Sequence, residues 1–99
     1  MWYSISLAVA VPAKFMYWTS LLQNVNLKTI PGTQECSYRH ETLFDAKVVC
    51  ATTELCGGIT RDNGVECGDL QLNMKFQLRS KQIMFGQFYD VQSWTTHSE

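Results

Sequence analysis

The chain has 99 residues, of which 45% are hydrophobic and 17% are charged. That length allows one domain, close to the lower limit for a self-sufficient core, and the composition is that of a folded protein, not a disordered tail. Eight Lys and Arg residues against nine Asp and Glu residues give a formal net charge of -1, without a basic cluster. The charge therefore points to neither a nucleic acid nor an anionic membrane surface as a partner.

The first apolar segment of the chain fits two interpretations. Every second residue is apolar in a run made of Ile5, Leu7, Val9 and Val11. This period is typical of a half-buried strand, but the same run also suits a secretory signal, although no Lys or Arg precedes it. We therefore treat residues 1–22 as an N-terminal strand or a signal-like segment and residues 23–99 as one domain. No apolar run is long enough to cross a bilayer, so we expect no membrane span.

The middle of the chain predicts a loop followed by a short helix. Residues 23–35 are polar and contain the turn signal Pro31-Gly32, which favours a loop. Thr42, with Asp45 three residues later, is typical of a helix start, because the hydroxyl caps a free amide and the acid suits the helix dipole. The spacing predicts a helix over residues 42–51 with Cys50 on its buried face.

Four strand predictions follow the helix. Cys56 to Thr60 is predicted as a strand, and Asp62-Asn63-Gly64 as a tight hairpin turn. The clearest alternation places on one face Leu70, Leu72, Met74, Phe76 and Leu78. The intervening residues, expected on a solvated face, are Gln71, Asn73, Lys75, Gln77 and Arg79. Two further strands are predicted over residues 83–89 and 91–95.

Cys36, Cys50, Cys56 and Cys67 allow three interpretations. An even number of cysteines in a short chain favours disulfide bridges. A zinc site that includes His40 is the second interpretation, although closely spaced Cys pairs are missing, and buried free thiols are the third.

Catalytic motifs are weak in this sequence. His97 and Ser98 lack a fixed acid partner, and a Cys36–His40 nucleophile pair competes with a simple bridged cysteine. Three acidic residues that could gather around calcium lack the glycine placement of an EF-hand, namely Asp62, Glu66 and Asp69. We therefore predict a protein that is not an enzyme and that needs no metal or cofactor.

The order of the elements resembles the PAN/apple family of extracellular modules. The motifs that carry the resemblance are Thr42-Leu-Phe-Asp-Ala-Lys-Val-Val-Cys50, Cys56-Gly-Gly-Ile-Thr60, Lys75-Phe-Gln-Leu-Arg79 and Ser93-Trp94. The resemblance implies an α+β fold in which one short helix packs on a twisted antiparallel β-sheet. It also implies a bridge from Cys50 to Cys56, which leaves Cys36 and Cys67 as a second pair. A further bridge found in many members is missing here, because Ala46 and Phe76 or Gln77 occupy its two positions.

The resemblance also implies a secreted, non-catalytic recognition or adhesion module that binds an extracellular protein or a glycan. The exposed sheet face is then the expected ligand site, with Lys75, Gln77 and Arg79 as its main contacts and Arg61 and Asp62 beside them. The alternative is a small secreted inhibitor or effector that acts through the hairpin of residues 61–69. A metal-dependent intracellular domain is a third option if the cysteines are reduced.

Aromatic residues near the end of the chain fit either a core or a ligand-facing patch. They are Phe85, Phe88, Tyr89 and Trp94.

Overall fold

The computed structural model describes residues 17–34, 36–63, 67 and 73–97. Within these residues the chain forms seven strands and one helix. In chain order they are β1 (Tyr17–Trp18), β2 (Leu22–Gln23), β3 (Leu27–Thr29), β4 (Arg39–His40), α1 (Leu43–Cys50), β5 (Gly58–Arg61), β6 (Phe76–Ile83) and β7 (Gln92–His97). The apolar run over residues 5–11 lies outside the described residues.

The strands form one antiparallel sheet in the order β1-β7-β5-β6-β3, with β2 also paired to β7 and β4 to β6. In the central strand β5, Ile59 lies between Leu78 and Trp94. The next residue, Thr60, lies between two polar residues of the neighbouring strands, Gln77 and Ser93. Because successive side chains point to opposite faces, one face of the sheet is apolar and the other is polar.

The helix α1 covers the apolar face. It begins as predicted, because the Thr42 hydroxyl accepts a hydrogen bond from the Asp45 amide at 3.0 Å. Two of its residues, Ala46 and Cys50, are fully buried. The core on this side consists of Ile30, Ala46, Cys50, Cys56, Ile59 and Leu78. The predicted α+β arrangement of one short helix on an antiparallel sheet is confirmed.

The polar face is covered as well, by parts of the chain of residues 24–34, whereas Ile30 of the same segment packs in the core on the helix side. Leu27 is fully buried, and its amide donates to Thr60 Oγ1. A Cβ atom at Gly58 would come within 2.5 Å of Leu27 Cδ1, so only glycine allows this segment to approach so closely. The loop prediction for residues 23–35 was wrong at β3, because its pairing with β6 overrides the polar local sequence. The Pro31-Gly32 turn is confirmed, with Gly32 at a φ of 84°.

Two of the strand predictions and the turn prediction need correction. The strand predicted from Leu70 begins only at Phe76, since residues 73–75 are not in a strand and residues 70–72 lie outside the described part. The tight hairpin turn is wrong, because Arg61 pairs with Phe76 and residues 62–75 connect them. Residues 84–89 form a loop and not a strand, whereas the last strand is confirmed as β7.

Both disulfide bridges are confirmed. Cys36 is bonded to Cys67 with an S–S distance of 2.01 Å, and Cys50 to Cys56 with 2.04 Å. None of the cysteines is free, so the zinc and free-thiol interpretations are wrong. Two bridges in a chain of this size are consistent with an oxidising environment.

Candidate functional site

The predicted ligand face of the sheet is not open to solvent. Gln77 is 0% exposed and Arg79 is 1% exposed. The alternation correctly places Gln77 and Arg79 on one face of the sheet. That face is covered by residues 24–34, however, and is not exposed to solvent. The expectation that these two side chains form a solvated contact surface is therefore wrong.

Arg79 instead holds that segment in place. Its guanidinium donates to Gln77 Oε1 at 2.7 and 2.9 Å and to Asn26 Oδ1 at 2.9 Å. It also donates to the carbonyl oxygen of Leu27. Since a buried cation needs several acceptors to offset its lost hydration, this arrangement is what allows Arg79 to be buried.

Arg61 and Asp62 contact other parts of the fold. Asp62 accepts two hydrogen bonds from the Arg39 guanidinium, at 2.7 and 2.9 Å, in a bidentate ion pair. The Arg61 guanidinium lies 5.8 Å from the centre of the Phe76 ring and donates to Gln92 Oε1 at 3.4 Å. Lys75 is half-buried. The structure thus gives Arg61 and Asp62 contacts within the fold, and the rest of the predicted 61–69 hairpin lies largely outside the described residues.

An open groove lies where β6 extends past its central partner. The pairing of β5 with β6 ends at Gly58 opposite Arg79, whereas β6 continues to Ile83 beside β3. A cavity of about 520 Å³ opens there. Its described lining residues are Lys28, Thr29, Pro31, Leu55, Ser80, Gln82 and Met84. We call these residues the β6 groove.

Leu55 stands at the edge of the β6 groove in a strained turn. The Cys56 amide donates to the Thr53 carbonyl at 3.2 Å, so Leu55 is the third residue of a four-residue turn. Its φ is 70°, in the left-handed region that this turn position normally fills with glycine. The side chain is nevertheless 61% exposed, and the turn is closed by the Cys50–Cys56 bridge.

A loop of exposed aromatic residues continues from the β6 groove at Met84. Phe85 is 93% exposed and Tyr89 is 74% exposed, which corrects the core interpretation for these two rings. The ends of the loop are fixed, because the Met84 amide donates to the Asn26 carbonyl at 2.8 Å and the Asn24 amide donates to the Val91 carbonyl at 2.7 Å. We call residues 85–90 the aromatic loop.

Trp94, in contrast, packs against the core, with its ring centre 6.1 Å from that of Phe76.

Comparison with known proteins identifies no relative. No family model, curated protein or solved structure matches the chain. Within the described residues, no group of three or more His, Cys, Asp or Glu side chains is placed to hold a metal ion. In the same part of the chain, no helix has the length and apolar character needed to cross a membrane.

Sequence reasoning missed most of the β6 groove. Lys28 and Leu55 belong to no recognisable motif. The left-handed backbone conformation of Leu55 also gives no signal in the sequence, because that conformation is uncommon for leucine. Gln82 and Met84 follow the strand that the alternation did identify, but the pattern ends before them. Only the exposed rings of the aromatic loop were noticed as a possible contact surface.

Proposed function

We propose that this protein is a secreted, non-catalytic recognition or adhesion module of the PAN/apple-like kind. In this proposal the ligand is an extracellular protein or a glycan. It contacts the aromatic loop and the β6 groove, and not the buried sheet face. The observation that carries the proposal is the exposure of Phe85 and Tyr89 on a loop whose two ends are fixed by hydrogen bonds.

Exposed aromatic rings on a fixed loop suit recognition. Phe and Tyr contribute a large contact area with few rotatable bonds, so ordering them in a complex costs little entropy. The loop ends are anchored to Asn24 and Asn26, and the Asp90 amide also donates to Asn24 Oδ1 at 3.2 Å. A pre-ordered loop loses less freedom on binding than a mobile one.

The scaffold supports the proposal in a second way. Both faces of the sheet are filled, one by α1 and the other by residues 24–34. The two disulfide bridges then stabilise the small domain from within and leave its outer loops as exposed surface. This division between a cross-linked interior and exposed loops is typical of small extracellular binding modules.

The test uses a loop variant and a matched control. Phe85→Ser with Tyr89→Ser removes both exposed rings, whereas Phe44→Ser with Val48→Ser removes two exposed apolar side chains from the outer side of α1. Each protein is measured by surface plasmon resonance against a panel of purified secreted proteins and a glycan array. We expect at least one ligand that binds the parent and the helix variant equally and binds the loop variant at least about tenfold more weakly. Equal binding by all three proteins would contradict the proposed site.

A further inference from the structure

We propose that the β6 groove binds a polypeptide segment in which a large apolar side chain stands next to a carboxylate. This inference rests on the proposed recognition function and names the class of ligand. It follows from the shape and chemistry of the groove, from its charge and from the conformation of Leu55.

The walls of the groove favour an apolar side chain over a sugar. Leu55, Met84 and Pro31 supply aliphatic and thioether surface, and methionine adapts its shape to an inserted group. None of the described lining residues is aromatic, so the groove itself lacks a flat ring on which a sugar could stack. A leucine or phenylalanine side chain from a partner protein fits these walls better.

The charge of the groove indicates which chemical group of the ligand lies next to its apolar side chain. Lys28 is the sole charged residue among the described lining residues, and it forms no ion pair within the described part of the chain. The Ser80 hydroxyl donates to the Lys28 carbonyl at 2.9 Å, which fixes the backbone from which this ammonium extends. A carboxylate on the ligand is therefore the complementary group.

Gln82 provides a further polar contact. Its backbone amide donates to Ser80 Oγ at 3.3 Å, whereas its side-chain amide has no hydrogen bond within the described residues. One amide offers both a donor and an acceptor, which is the pair that a peptide backbone requires. The groove thus combines an apolar wall, a cation and a backbone-matching amide.

The conformation of Leu55 is the independent observation. A left-handed backbone is costly for leucine, and a glycine at this position would relieve the strain. Left-handed residues of this kind cluster at ligand-contact sites, and here the Leu55 side chain is exposed and lines the groove. Tyr38 has a similar backbone conformation but does not line the groove, so it is the combination of conformation, exposure and position that points to a ligand contact at Leu55.

The probes are synthetic peptides on an array and in fluorescence polarisation. One set carries Leu or Phe next to Asp, a second set has Asn for Asp, and a third has Ser for the apolar residue. A fourth set has Lys for Asp. The glycan array described above is run with the same proteins.

Two groove variants and two matched controls are compared with the parent. Lys28→Glu reverses the charge, with Lys81→Glu as the control at a nearby exposed lysine of β6. Leu55→Gly removes the leucine part of the apolar wall and relieves the strain of the left-handed backbone. Its control is Tyr38→Gly, because Tyr38 is also exposed and has a φ of 56°.

We expect the parent to prefer the apolar-acidic peptides. Lys28→Glu should weaken their binding about tenfold and should shift the preference toward the Lys-containing set, whereas Lys81→Glu should keep the parent's preference. Leu55→Gly should weaken binding by a similar factor without lowering the melting temperature. Tyr38→Gly should leave peptide binding unchanged.

Two results would overturn the inference and leave the proposed function intact. One is peptide binding that is the same in the parent, Lys28→Glu and Leu55→Gly. The other is binding to glycans alone that depends on the aromatic loop. If no peptide, secreted protein or glycan binds the parent protein, both the inference and the proposed function are wrong.

Discussion

The two faces of the central sheet are both buried, but by opposite means. On the helix side, Ile59 and Leu78 pack against the apolar face of α1. On the other side, Thr60, Gln77 and Arg79 are equally inaccessible, yet they form hydrogen bonds with the chain of residues 24–34. The same alternating strands thus form an apolar interior on one face and a hydrogen-bonded polar interior on the other.

The comparison shows that burial depends on what covers a face and not on which residues form it. Apolar packing tolerates small changes of shape, because each contact contributes little by itself. A hydrogen-bonded interior tolerates the loss of one partner poorly, because the other partner stays buried without a bond. Substitutions on the polar side should therefore cost more stability than comparable substitutions on the helix side.

The largest loss of stability is expected when the Cys36–Cys67 bridge is removed, because this bridge fixes the chain next to the segment that covers the polar face. Cys36→Ala with Cys67→Ala releases a bridge with a sequence separation of 31, which ties the chain just after Gln34 to the β5–β6 connection. The Gln34 carbonyl accepts a hydrogen bond from Gln77 Nε2, so this region anchors the covering segment. Loss of the constraint on the unfolded chain should cost about 3.7 kcal/mol.

Urea unfolding of the parent and of the double variant measures this difference. Because a domain of this size has a total stability of only about 5 to 10 kcal/mol, the variant should be close to unfolding at physiological temperature. A loss below about 1 kcal/mol would show that the Arg39–Asp62 ion pair and the hydrogen bonds hold the segment without the bridge.

The second prediction concerns Arg79. Arg79→Met keeps a long side chain but removes the donors to Gln77, Asn26 and the Leu27 carbonyl. The buried acceptors lose their partners, so the free energy of unfolding should fall by about 3 kcal/mol.

Lys75→Met is the control for Arg79→Met. Lys75 belongs to the same predicted alternation but is half-buried, and its side chain has no hydrogen bond within the described residues. Its replacement should change stability by less than about 0.5 kcal/mol. Equal effects at the two positions would mean that the polar face is solvated after all.

The helix side could be predicted from the sequence because its signals are local. The Thr42 cap, the buried Cys50 and a strand within residues 56–61 follow from residue type and spacing within a few positions. The disulfide pairing came from the family resemblance, and the structure agrees with it although no relative was identified.

The polar side could not be predicted because its cause is distant in sequence. Nothing near Arg79 shows that Asn26 and Leu27 will cover it, and alternation alone always assigns the polar residues of such a strand to water. The same holds for the candidate site: Leu55 and Lys28 meet the end of β6 only through the tertiary fold.

The third prediction compares neighbouring residues on the two faces. Thr60→Val is nearly isosteric but removes the oxygen that accepts from the Leu27 amide and bonds Ser93 Oγ at 2.8 Å. We expect a loss of about 2 kcal/mol, because a buried amide is left without an acceptor. Ile59→Val removes one methylene from the apolar side and should cost about 1 kcal/mol.

Thermal and urea unfolding of both single variants give the order of the two losses. The reverse order, with Ile59→Val the more harmful, would show that packing on the helix side limits stability. It would also mean that the hydrogen bonds on the polar face are readily replaced.

The last prediction makes the same Thr→Val substitution at an exposed site and so tests the role of burial. Thr42 and Thr60 each accept a hydrogen bond from a backbone amide through Oγ1, at 3.0 Å from Asp45 and at 3.3 Å from Leu27. The bond at Thr42 is exposed, so water can replace the lost oxygen, and Thr42→Val should cost only about 1 kcal/mol as the loss of a helix cap. The difference between Thr42→Val and Thr60→Val, measured by urea unfolding under one set of conditions, then compares one exposed hydrogen bond with the two buried bonds of Thr60 Oγ1, to the Leu27 amide and to Ser93 Oγ. If both variants lose the same free energy, a hydrogen bond is worth as much at the surface as under the covering segment, and the contrast between the two faces of the sheet has no energetic basis.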